Sequence, residues 1–132
     1  MGAHKDILVV DDEPAIVEML VARLAQAGYD ATSAPDAMQA VIQGAALKPR
    51  LIITDLMMGP FGSGADAYKA FRSNAVLADV PVIFLTAMAP PQARGIVPKD
   101  DPKTRLLFKP VNWALLEQAI SELIGDTKSL GQ

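Results

Sequence analysis

Four apolar runs in this chain end in side chains that could do chemistry together. Ile7-Leu8-Val9-Val10 stops at Asp11-Asp12, and Leu51-Ile52-Ile53-Thr54 stops at Asp55. Val82–Thr86 ends in a hydroxyl, and Arg105–Phe108 is followed by the ammonium of Lys109. Short aliphatic runs of this kind read as strands buried on both faces. Side chains just past them fall on the C-terminal rim of a parallel sheet, where open α/β folds place their ligands. Three carboxylates on one rim repel one another unless something cationic offsets them. Mg²⁺, a hard ion that takes oxygen ligands, is the economical candidate. An aspartate can also act as a nucleophile toward phosphorus. A transferring phosphoryl group spreads negative charge over its oxygens, which a lysine, a hydroxyl donor and a divalent cation can meet. The set therefore points to phosphoryl transfer onto a carboxylate.

Other chemistries find little support. No Gly-rich phosphate loop and no GxGxxG is present. The single histidine, His4, precedes the first strand, so a Ser/His/Asp set cannot be assembled with economy. Without cysteines there are no disulfides or thiolate metal sites. A net charge of −3 gives no basic face for nucleic acid. No apolar stretch approaches the roughly 20 residues that span a bilayer, and no signal-peptide core precedes the first strand. The expectation is a cytoplasmic protein with no membrane insertion and no direct nucleic-acid contact.

The elements that must position the rim alternate five times. Strands are predicted at Ile7–Val10, Tyr29–Ser33, Leu51–Thr54, Val82–Thr86 and Arg105–Phe108. Helices are predicted at about Pro14–Ala27, Asp36–Leu47, Ala65–Ser73 and Asn112–Ile124. Pro14 suits a first helical turn and Gly28 a left-handed position past a helix end. Asp36 or Ser33, and Asn112, are cap candidates. Residues 59–64 read as a loop. The stretch Ala87–Lys103 contains Pro90, Pro91, Pro98 and Pro102, so at most a short helix is expected between Gln92 and Val97. The charges Arg94, Lys99, Lys103 and Arg105 are interrupted by Asp100 and Asp101 and read as a solvated loop rather than a docking patch. With 132 residues, 51% of them hydrophobic, the chain suits a single domain over 6–124. Disordered residues 1–5 and a polar tail, 125–132, flank it. Five βα units imply a doubly wound parallel sheet with helices on both faces. In the common flavodoxin-like order 2-1-3-4-5, strands one and three are neighbours, so Asp11, Asp12 and Asp55 converge.

These strings resemble a known family, the receiver domain of two-component response regulators, its single-domain chemotaxis-type members included. The matching segments are Val9-Val10-Asp11-Asp12-Glu13, Thr54-Asp55-Leu56-Met57-Met58, Phe84-Leu85-Thr86-Ala87 and Phe108-Lys109-Pro110. The resemblance implies that Asp55 accepts phosphate from a histidine kinase or histidine phosphotransfer protein. It implies that Asp12 and Asp55 ligate Mg²⁺ directly, Asp11 mostly through water, and that the backbone carbonyl of Met57 completes the protein ligands. It further implies that Thr86 donates to a phosphoryl oxygen, that Lys109 pairs with the phosphoryl group, and that Pro110 follows a cis bond. The signal then passes to a downstream protein that the sequence does not name.

The chain departs from the family pattern in three places. Gly59 stands where a proline is usual and Gly64 falls nine residues after Asp55, which reads as a one-residue insertion. The fourth-helix region holds four prolines. Leu106 occupies a position, three before the lysine, that is often Tyr or Phe. Taken alone, Asp11-Asp12 would read as a helix cap; the adjacent Asp55 favours a metal site. Two alternatives are a pseudo-receiver acting only as an interaction module, and a phosphatase working through an aspartyl phosphate. The second usually shows Asp-x-Asp after its first strand, which this chain lacks.

Overall fold

The computed structural model describes residues 6–57 and 64–125. Ten elements alternate: β1 (Ile7–Val10), α1 (Pro14–Gln26), β2 (Ala31–Ala34), α2 (Ala37–Leu47), β3 (Leu51–Thr54), α3 (Gly64–Ser73), β4 (Val82–Thr86), α4 (Pro90–Ile96), β5 (Thr104–Phe108) and α5 (Trp113–Ile124). The strands form one parallel sheet in the order β2-β1-β3-β4-β5. This is the flavodoxin-like arrangement expected from the alternation.

Period-two alternation within each strand builds two cores. Leu8, Val10, Ile52, Val82 and Phe84 face α2, α3 and α4, packing on Ala40, Ala67, Phe71 and Ala93. Ile7, Val9, Leu51, Ile53, Ile83 and Leu85 face α1 and α5, packing on Leu20, Leu24, Leu116 and Ile120. Both faces of the central strands are thus apolar, as parallel sheets require.

Local signals explain most boundaries. Pro14 sits in the first turn of α1. That helix closes with Gly28 at φ 99°, its N–H on Ala25 O and the Tyr29 N–H on Leu24 O. This pair of bonds is the Schellman pattern, and glycine suits its left-handed position. Tyr29 is therefore spent on the helix end, and β2 starts at Ala31 rather than at Tyr29. Asp36 caps α2 by accepting from Gln39 N–H, and Asn112 caps α5 by accepting from Leu115 N–H. The fourth helix begins earlier than expected. Pro90 and Pro91 occupy its first turn, where a missing N–H costs no intrahelical bond. They start the helix instead of preventing it, and Pro98 and Pro102 lie beyond its seven residues. The predicted loop insertion around Gly59, and the expectations for residues 1–5 and 126–132, lie outside the described residues.

Candidate functional site

Sheet register brings the rim side chains together. Val10 pairs with Thr54 across β1 and β3, and the Asp55 N–H extends that ladder to Val10 O. Asp11 and Asp55 are each the next residue out, so they share one edge. Thr86 pairs with Phe108 across β4 and β5, and the Lys109 N–H donates to Thr86 O at 2.7 Å. The peptide bond before Pro110 is cis.

Three of the four strand ends carry the same local device. The Asp11 Oδ1 accepts from Glu13 N–H at 2.9 Å, the Asp55 Oδ1 from Met57 N–H at 3.1 Å, and the Thr86 Oγ1 from Met88 N–H at 3.1 Å. Asp and Thr make such short turns onto the backbone two residues on. Each turn fixes one oxygen; the second oxygen of Asp11 and of Asp55, and the hydroxyl proton of Thr86, are not used by it. Asp11, Asp55 and Thr86 are all buried.

Lys109 closes the site. Its Nζ donates to Asp11 Oδ2 at 3.0 Å, Asp55 Oδ2 at 3.1 Å and Glu13 Oε1 at 3.1 Å. Its side chain is only 9% exposed. Burial alone would lower the Lys109 pKa, but the bonds to Asp11, Glu13 and Asp55 outweigh it and hold the ammonium well above its ordinary value. Burial pushes the Asp11 carboxyl up, opposed by the Glu13 N–H and by Lys109, with the negative Asp55 adding to the rise.

Asp11, Asp12 and Asp55 each offer a carboxylate oxygen, and these oxygens lie within 4.8 Å of one another. Such a trio of hard oxygen donors suits a divalent cation. Asp12 is exposed while Asp11 and Asp55 are buried, so the cluster opens to solvent on the Asp12 side. The residue capping α1 is Glu13, and it makes no side-chain cap bond. The simple cap reading of Asp11-Asp12 therefore fails.

Comparison with known proteins decides the family. The model for the response regulator receiver domain matches residues 7–121. The chain belongs to the response regulator receiver family.

Relatives and solved structures agree. The receiver is 39% identical over 83 residues to the phosphate regulon transcriptional regulatory protein PhoB of Pseudomonas aeruginosa, a match covering 63% of this chain and 36% of that one. It is 38% identical over 82 residues to the DNA-binding dual master transcriptional regulator RpaA of Synechocystis, covering 62% and 34%. The match thus spans about a third of the length of these relatives. The Vibrio cholerae chemotaxis protein CheY4 superposes with a TM-score of 0.80 at 28% identity, covering 91% of this chain and 98% of that one. The receiver domain of a sensor histidine kinase from Pseudomonas aeruginosa, with a magnesium ion coordinated in its active site cleft, gives 0.81 at 28% identity, covering 93% and 99%.

The structure brings together Asp11, Asp12, Asp55 and Lys109, with Thr86 at the end of the adjacent strand. Met57 contributes its N–H to Asp55, and its side chain is 58% exposed. Sequence reasoning missed the contact of Glu13 with Lys109; the signal was a third consecutive acid after β1. It also missed a second polar cluster. Tyr68 OH donates to Asp101 Oδ2 at 2.6 Å, and Arg72 Nε to the same oxygen at 3.0 Å. The Arg72 guanidinium lies 4.9 Å from the Tyr68 ring centroid, and that ring tilts against Phe84. This cluster ties α3 to the segment before β5. The basic residues of that segment are spent locally, Lys99 on Arg94 O and Arg105 on Glu122. Among the described residues, no helix is long and apolar enough to cross a membrane.

Proposed function

We propose that this receiver accepts a phosphoryl group on Asp55 from a histidine kinase or histidine phosphotransfer protein, and relays the change to a downstream protein. The observation that carries the reading is the Lys109 ammonium, held between Asp55 and Asp11 at the edge of a three-carboxylate cluster. In the reaction, an Asp55 carboxylate oxygen attacks phosphorus and forms a new P–O bond. The bond from phosphorus to the donor breaks, and its electron pair leaves on an imidazole nitrogen or, for acetyl phosphate, on an acetate oxygen. The Met57 N–H fixes Asp55 Oδ1, which leaves Oδ2 facing Lys109 as the attacking atom. Lys109 meets the charge on the phosphoryl oxygens. The Thr86 hydroxyl accepts from Met88 and keeps its own proton for a phosphoryl oxygen.

Mg²⁺ fits the donor set, and when bound it would neutralise charge on the acceptor carboxylates and on the incoming phosphoryl group. Asp12 and Asp55 would hold it directly, with the Met57 backbone carbonyl. Both Asp11 oxygens are already engaged, by Glu13 N–H and Lys109, which suits a role through water. The magnesium ion in the Pseudomonas kinase receiver supports this assignment.

The test is intact mass after incubation with acetyl phosphate and Mg²⁺. One phosphoryl mass, removable by hydroxylamine, is expected on the wild type and absent from Asp55→Asn. Equal labelling of the two would refute the assignment, and turnover of a phosphate ester without stable label would favour a phosphatase.

A further inference from the structure

A lysine ammonium has three donor hydrogens, and Lys109 spends all three on carboxylates: Asp11, Asp55 and Glu13. Any further anion that Lys109 is to bind must displace one of them. The three are not equally easy to displace. Asp11 and Asp55 have side chains 4% and 7% exposed, and each is also fixed by a backbone N–H from its own loop. Until Asp55 Oδ2 attacks, separating either from Lys109 strands a buried charge. Glu13 is 61% exposed, and water can take its carboxylate at little cost.

The position of Glu13 is set independently of that contact. It is the N-cap residue of α1, its N–H is bound by Asp11 Oδ1, and its side chain makes no capping bond. The short acid aspartate caps helix amides from this position, whereas the longer Glu13 side chain makes no such bond. Here the carboxylate reaches across to Lys109, 96 residues away in the chain. It lies outside the three carboxylates that suit a cation, so its contact with Lys109 is its distinguishing feature.

Resting on the phosphoacceptor reading, we propose that Glu13 is a positioning residue: it holds the third hydrogen of Lys109 while the site is empty and gives it up to the incoming phosphoryl group. Glu13 thereby competes with the donor and sets how readily the site captures it. Its removal strengthens capture and leaves the attack by Asp55 unchanged.

The experiment compares wild type, Glu13→Gln, Glu13→Asp and Glu18→Gln with acetyl phosphate and Mg²⁺. Labelling rate is measured against donor concentration, and beryllofluoride affinity is measured by calorimetry. Glu13→Gln removes the charge. Glu13→Asp keeps the charge but falls one methylene short of Lys109. Glu18→Gln controls for general charge on α1. Both Glu13 variants are expected to lower the half-saturating donor concentration and to tighten beryllofluoride binding by about two- to fivefold, the range of one exposed ion pair. The limiting rate and the Glu18→Gln control are expected to stay at the wild-type value. If Glu13→Asp behaves as wild type while Glu13→Gln does not, simple charge repulsion accounts for the effect and the competition for Lys109 is refuted. No change in either Glu13 variant also refutes it. A wild type that takes neither label nor beryllofluoride overturns the phosphoacceptor reading and the proposal with it.

Discussion

Replacing Lys109 by methionine would test the electrostatic design of the rim. The change keeps most of the aliphatic stem and deletes the only cation that contacts the cluster among the described residues. Lys109, Asp11 and Asp55 have side chains 9%, 4% and 7% exposed, so solvent screens them little. Breaking a buried pair by removing one partner costs about 3–5 kcal/mol, because the remaining charge is left uncompensated. The exposed Glu13 adds no more than about 1 kcal/mol. A loss of about 3–5 kcal/mol is a large share of a typical total of about 5–15 kcal/mol. Urea unfolding in chelator at neutral pH would read it. The sign with pH follows from Asp11, whose carboxyl burial already raises and Lys109 pulls down. Without Lys109 it rises further, so the folded variant binds protons more readily than the unfolded chain. Its stability then falls as pH rises through that raised value. The deficit is expected to be greatest at neutral pH and to shrink as pH falls toward the ordinary carboxylate range. Under the proposed Mg²⁺ site, added Mg²⁺ should restore stability by mass action, since it would bind the folded cluster and not the unfolded chain. A variant within about 0.5 kcal/mol of wild type in chelator, the scatter of ordinary surface changes, would refute the reasoning, as would a deficit that grows on acidification.

Two further outcomes are expected. Asp101→Asn should cost about 1–3 kcal/mol, because the half-buried Arg72 loses its partner. Coupling to Tyr68→Phe in a double-mutant cycle should exceed about 0.5 kcal/mol. Tyr68, the Lys103 N–H and Arg72 outweigh burial and hold the Asp101 carboxyl below its ordinary value, so this contribution is present above about pH 4 and lost as pH falls further. Additive urea midpoints would show the cluster to be uncoupled. Loss of the phosphoryl group should be slow, since the thioether of Met57 is a weak acceptor and no donor and so orients an attacking water poorly. Met57→Asn is expected to speed decay by roughly tenfold, below the effect of a full general base, and label decay equal to wild type would reject that account.

Much of this was legible in the sequence for a physical reason. Strands that end at Val10 and Thr54 are buried on both faces, so their residues are almost all apolar and the first acid marks the rim. Asp36, Asn112 and Gly28 act through bonds made within their own turn, and Pro14 through its fixed φ, all of which local sequence is able to encode. The errors fall where the deciding partner is remote or the same residue type serves two ends. Prolines break a helix interior but open a helix start, and Pro90 and Pro91 stand at the start, after Ala89 in the extended backbone that a following proline favours. Tyr68, Arg72 and Asp101 meet across about thirty residues of sequence, with no local periodicity to announce them. Glu13 and Lys109 are more distant still.

Leu106 packs in the core shared with Phe84, Met88 and Val97, so it fills space and offers no hydroxyl or ring edge to the surface. Under the proposed function, a link from the rim to α4 would run through other atoms. The Thr86 hydroxyl accepts from the Met88 N–H and still has a proton to donate. Under the proposed role of Thr86, reaching for a phosphoryl oxygen would not require it to release Met88. The two can move as one, and Met88 is joined to α4 through Ala89, whose carbonyl takes the Ala93 N–H. The short helix opened by Pro90 and Pro91 would be drawn by its first residues. The Asp101 cluster holds the chain beyond the far end of that helix to α3, so a pull on its first residues would work against an anchored far end.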